Sequence, residues 1–82
     1  MERIEIRKEI IQDVINNNKI GAIKKLRKKG FSLAIAHKIA LELSIIIKTE
    51  QITEVNDEIV KKLNAEINRE KRRLLAPVGT SI

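Results

Sequence analysis

The stretch Ser32-Leu33-Ala34-Ile35-Ala36-His37-Lys38-Ile39-Ala40-Leu41-Glu42-Leu43-Ser44-Ile45-Ile46-Ile47-Lys48-Thr49 decides the fold class. Ile35, Ala36, Ile39, Ala40, Leu43, Ile46 and Ile47 recur at three- and four-residue spacing, which places them on one broad face of a helix. Ser32 stands where an N-cap belongs, for a helix that runs to about Thr49. Ala34, Leu41 and Ile45 form a second apolar stripe, threaded among Lys38, Glu42 and Lys48. A helix that is apolar nearly all round is one that its surroundings bury. In a chain of 82 residues it must be wrapped by its neighbours or pack against a second copy or a partner. Leaving Leu41 and Ile45 in water would forgo roughly 1.5–3 kcal/mol each relative to full burial.

Upstream, Gly30 fits the C′ position of a second helix, from about Ile20 to Lys29. Ile20, Ile23 and Leu26 are expected to point one way, and Lys24, Lys25, Lys28 and Lys29 to share the opposite arc. Asn16-Asn17-Asn18 separates it from a first helix, because asparagine tolerates the left-handed backbone of a helix end. That first helix is predicted from about Glu2 to Asn16, with Ile4, Ile10, Ile11, Val14 and Ile15 as its apolar stripe. Downstream, a fourth helix starts near Thr53 or Asn56 and carries Val55, Ile59, Leu63 and Ile67. It becomes wholly charged over Asn68-Arg69-Glu70-Lys71-Arg72-Arg73 and must stop before Pro77, whose ring disfavours helical geometry in the preceding residue. The expectation is an all-α bundle of about four helices: a single helical domain over 1–76 and a flexible tail over 77–82. No internal repeat and no strand-like alternation of useful length is predicted.

Composition narrows the chemistry. Seventeen basic and eleven acidic side chains leave a net charge of +6, which favours an acidic partner. Lys19 to Lys29 alone holds six cations and no anion. The plain alternative to a docking role is a solvated face that keeps the protein soluble. Phe31 is the single aromatic, so almost nothing is available to stack on unpaired bases. There is no cysteine, as suits a reducing compartment, and Met1 leads into Glu2-Arg3-Ile4-Glu5 rather than an apolar targeting segment. Phe31 to Ile47 is interrupted by His37, Lys38 and Glu42 and falls short of the ~20 apolar residues of a membrane span. A cytoplasmic location is expected.

Enzymatic activity is not expected. Hydrolysis or group transfer needs a nucleophile beside a base, a metal cluster or paired carboxylates in a cleft. His37 is the only histidine, and Glu42, its one acidic neighbour along the helix, lies about 140° around the axis. No metal-ligand spacing is present, and Gly21, Gly30 and Gly79 make no phosphate-cradling loop, so no metal, cofactor or catalytic residue is assigned.

Three resemblances bear on function. Leu26-Arg27-Lys28-Lys29-Gly30-Phe31-Ser32-Leu33-Ala34-Ile35-Ala36-His37-Lys38-Ile39 resembles the opening of a helix-turn-helix, with glycine in the turn and serine capping the next helix. Its continuation, Ala40-Leu41-Glu42-Leu43-Ser44-Ile45-Ile46-Ile47, is core material where DNA reading wants a polar, basic start. Lys19-Ile20-Gly21-Ala22-Ile23-Lys24-Lys25-Leu26-Arg27 with Leu33-Ala34-Ile35-Ala36 is similar to the helical hairpin of the ribosomal stalk protein's C-terminal domain, a family with strands flanking that hairpin. The whole chain, short, rich in Ile, Asn and Lys and opening Met1-Glu2-Arg3-Ile4-Glu5-Ile6-Arg7-Lys8-Glu9-Ile10-Ile11, resembles the rapid-lysis-III-type lysis inhibition proteins of T-even-type phages. That resemblance implies a cytoplasmic antiholin, which binds the cytoplasmic segment of a holin and delays lysis.

The expected function is therefore non-enzymatic regulation by protein–protein binding, as a homodimer or complex subunit in the host cytoplasm. Ala34, Leu41 and Ile45 are the expected partner or self-association face, with Lys24, Lys25, Lys28 and Lys29 as a basic docking face. The alternative is a basic helical module that binds nucleic acid or associates with the ribosome.

Overall fold

In the computed structural model, which describes residues 3–76, the chain runs through α1 (Lys8–Ile15), α2 (Lys19–Lys28), α3 (Leu33–Thr49), α4 (Asp57–Arg69) and α5 (Lys71–Leu75). Among the described residues there is no strand. Among the described residues the helix count is five rather than four, because the charged run is broken at Glu70 and the chain resumes as α5, which brings Leu74 into the core. The expected tail, 77–82, lies outside the described residues.

Local chemistry explains where the helices stop. α1, α2 and α3 each end with a residue at positive φ: Asn17 at 61°, Gly30 at 111° and Gln51 at 56°. Each end carries the paired hydrogen bonds of a Schellman turn. The long bonds run from the amides of Asn18, Phe31 and Ile52 to the carbonyls of Asp13, Leu26 and Ile47, at 2.7, 3.4 and 2.9 Å. The asparagine run and Gly30 thus act as expected, whereas Gln51 takes the left-handed conformation without the steric freedom of glycine. Side-chain caps open three helices: Asn18 accepts from Gly21, Ser32 from Ile35 and Asn56 from Ile59.

α3 is the central element, in contact with α1, α2, α4 and α5. Its broad face buries Ala36, Ile39, Ala40, Leu43, Ile46 and Ile47 against Ile10, Ile11 and Val14 of α1, Ala22, Ile23 and Leu26 of α2, and Leu63 and Ile67 of α4. Ile20 departs from the expectation: it is 71% exposed and does not join Ile23 and Leu26.

The largest correction concerns the N-terminus. The first helix begins at Lys8, not at Glu2, and residues 3–7 are non-helical, with Ile4 and Ile6 buried and Arg3, Glu5 and Arg7 exposed. This strap lies along α4 and is held by two asparagines. Ile6 donates its amide to Asn64 Oδ1 at 2.7 Å and accepts from Asn64 Nδ2 at 2.9 Å; Ile4 pairs in the same way with Asn68, at 2.8 and 2.7 Å. The register follows from backbone dimensions. Four helical residues rise about 6.0 Å and two extended residues about 6.6 Å, so an i, i+4 asparagine pair matches an i, i+2 peptide pair. Each amide also donates back to its own helix, to Val60 O and Asn64 O, both at 2.8 Å. Burying Ile4 and Ile6 without these partners would strand backbone polar groups at about 1–3 kcal/mol each.

Candidate functional site

The Ser32 cap fixes where α3 begins, and the heptad-like run that follows fixes which of its faces meets the core. The remaining face is the candidate site. Leu33, Leu41 and Ile45 are 49, 53 and 50% exposed, and Ala34 and His37 are exposed with them. Leu33, His37, Leu41 and Ile45 follow one another at four-residue intervals, a single ridge along the helix. Isolated exposed leucines are ordinary, but Leu41 and Ile45 adjoin on this ridge, with Leu33 beyond His37, and exposed large aliphatic side chains grouped on one helix face mark interaction sites. The three residues singled out from the sequence, Ala34, Leu41 and Ile45, therefore lie together on the open face. Leu33 and Ile20 were not singled out. Leu33 was legible, being two four-residue steps before Leu41; Ile20 was not, since its spacing from Ile23 and Leu26 matches a buried stripe.

Beside the ridge lies a groove of about 220 Å³ where the first turn of α2 meets the middle of α3, lined by Lys19, Ile23, His37, Lys38, Ala40 and Leu41. Its floor is aliphatic and its rim is cationic. Lys38 is held in place by donating from Nζ to the carbonyl of Ala76, at 3.0 Å. The one acidic residue of α3, Glu42, accepts from Arg73 at 2.8 Å and is turned away from the ridge. Arg73 also pairs with Glu70 at 3.0 Å, and the hydrogen bond to Glu42, with that to Glu70, raises the guanidinium pKa above its usual value. At the far end of α3, Glu50 accepts from Lys62 at 2.9 Å. That bond is the main reason why the Glu50 carboxyl titrates below, and the Lys62 ammonium above, their ordinary ranges. Glu42 and Glu50 are thus engaged by basic side chains of α5 and α4.

The four lysines of the expected docking face divide into two sets. Lys24 and Lys28 are exposed, each about 200° around α2 from a buried residue, Ala22 and Leu26. Lys25 is tied to Asp13 of α1 at 2.5 Å, and Lys25 and Lys29 line a cleft with Arg7, Glu9 and Ile10. All four side chains are exposed, but Lys25 is engaged by a carboxylate of the protein itself. Among the described residues no cluster of His, Cys, Asp or Glu could hold a metal ion, and no helix is long and apolar enough to cross a membrane.

Compared with protein-family models, with curated proteins and with solved structures, the chain matches none.

Proposed function

We propose that the protein acts stoichiometrically, by binding an acidic protein segment along the exposed face of α3. The observation that carries this reading is the ridge of Leu33, Leu41 and Ile45, each about half exposed on a helix whose opposite face is the centre of the core. Covering such side chains is the main source of free energy available to this surface. Lys24 and Lys28 make no ion pair among the described residues and supply long-range attraction for an acidic partner. In its specific form the proposal is phage lysis inhibition in the host cytoplasm, with the cytoplasmic segment of a holin on the ridge; that form rests on the whole-chain resemblance.

Replacing Leu41 and Ile45 together by serine tests the reading. Circular dichroism should show unchanged helicity, while binding of a synthetic holin cytoplasmic segment falls at least tenfold. Full binding by this double variant would refute it. A nucleic-acid module is the second reading, favoured by the exposed Lys24, Arg27 and Lys28 on one helix. Phosphate contacts make affinity fall steeply with salt. Retention on immobilised duplex DNA or RNA that collapses between low and moderate salt, and that ignores the serine substitutions, would replace the first reading with this one.

A further inference from the structure

We infer that the occupant of the α3 face is an acidic amphipathic helix that seats one large aliphatic side chain in the groove between α2 and α3. This rests on the reading above and narrows it.

Three observations select that occupant. The groove floor is made by Ile23, Ala40 and Leu41, and its volume of about 220 Å³ exceeds the roughly 150 Å³ that accommodates a benzene-sized group. It is continuous with the ridge through Leu41, so a side chain seated in it belongs to a segment lying along α3. A ridge with a four-residue repeat is complemented by a helix with apolar residues at i, i+4 and i+7.

The charges around it are of one sign. Lys19 and Lys38 stand at the groove. Lys48, exposed, lies seven residues beyond Leu41 and therefore only about 20° from it around the helix. Glu42, the only acid in α3, is engaged by Arg73. Carboxylates at the two ends of an apolar stripe, roughly 15 Å apart as Lys38 and Lys48 are along α3, would meet these cations.

The same charges disfavour a second copy. In a two-fold pairing of α3 ridges, Lys38 and Lys48 of each copy would approach cations of the other, with no free carboxylate on either ridge to separate them.

The probe is a fluorescent peptide of roughly eighteen residues, helical, with leucines at i, i+4, i+7 and i+11 and glutamates flanking them. Its partner probe has lysine at every glutamate. The acidic peptide should bind the full chain with a Kd on the order of 10 µM and the lysine peptide at least tenfold more weakly. Leu41→Ser should abolish binding of the acidic peptide. Lys19→Glu with Lys48→Glu changes two exposed side chains, so the fold is retained; it should reverse the preference between the peptides.

Equal affinity for the two peptides, or no binding of either, overturns the inference. So does Leu41-dependent binding to phosphatidylglycerol vesicles without peptide binding, which would make the occupant a lipid surface. A Leu41-dependent dimer without peptide binding would make it a second copy. These last results leave Leu41 at the centre of an interaction surface; only undiminished holin-segment binding by the Leu41→Ser, Ile45→Ser variant removes that.

Discussion

Two aliphatic pairs in this protein meet opposite fates. Ile4 and Ile6, on a five-residue strap, are 3 and 1% exposed, and every backbone hydrogen-bonding group that their burial removes from water is matched by Asn64 or Asn68. Leu41 and Ile45, on the longest helix, are 53 and 50% exposed, and no described segment crosses them. The strap shows that a few residues suffice to close an apolar surface when side-chain amides are there to receive them. The face of α3 offers no such amides. It offers aliphatic side chains and a cationic rim, and the proposed partner is placed there for that reason.

The comparison breaks most readily at Ile6. Removing its side chain leaves a cavity in a filled core, so Ile6→Ala should lower stability by about 2–5 kcal/mol in urea denaturation. Ile45→Ala should lower it by less than about 1 kcal/mol, because only half of that side chain is out of water. Similar losses at the two sites would erase the distinction.

Asn64→Ala should come next, at about 2–3 kcal/mol, since it leaves the amide and carbonyl of Ile6 buried without partners. Asn68→Ala, at the less buried end of the strap, should cost about 1 kcal/mol. In hydrogen exchange, the Ile6 amide should lose its protection in the Asn64 variant while α3 amides keep theirs. Loss of protection throughout the chain would show that the strap is not a separable feature.

The smallest stability effect is expected from Leu41→Ser and Ile45→Ser, about 1 kcal/mol or less for each. Their effect should appear instead as weakened partner binding. A large drop in stability with binding retained would assign these residues to the core.

Much of this was legible in the sequence, and the limits are physical. Ser32, Gly30 and Asn17 act through their own backbone and its nearest neighbours, so local chemistry alone places the end of α1, the end of α2 and the start of α3. The broad face of α3 was equally plain, because a three- and four-residue repeat over Leu33–Thr49 has one meaning. The strap was missed for a related reason. Ile4 stands seven residues before Ile11, and counting it in a helical stripe left Ile6 without a role. The alternation Arg3-Ile4-Glu5-Ile6-Arg7 carries the opposite signal in the same letters. What decides between them is Asn64 and Asn68, 58 and 64 residues away, and no local pattern announces a pairing across that distance. At the candidate site, the second stripe was legible in Ala34, Leu41 and Ile45; that the chain's own helices leave it open was not, since the apolar pattern covers both faces of α3. Likewise the division of the lysines depends on Asp13 meeting Lys25 across the α1–α2 hairpin.

The exposed ridge is tested most directly by methyl NMR with a soluble paramagnetic agent, first on the free chain and then with the acidic helical peptide. Leu41 and Ile45 methyl signals should broaden far more than those of Ile6 and Leu63 in the free chain, and the peptide should shield them. Leu41 and Ile45 signals as insensitive as that of Ile6 before any peptide is added would contradict an exposed ridge.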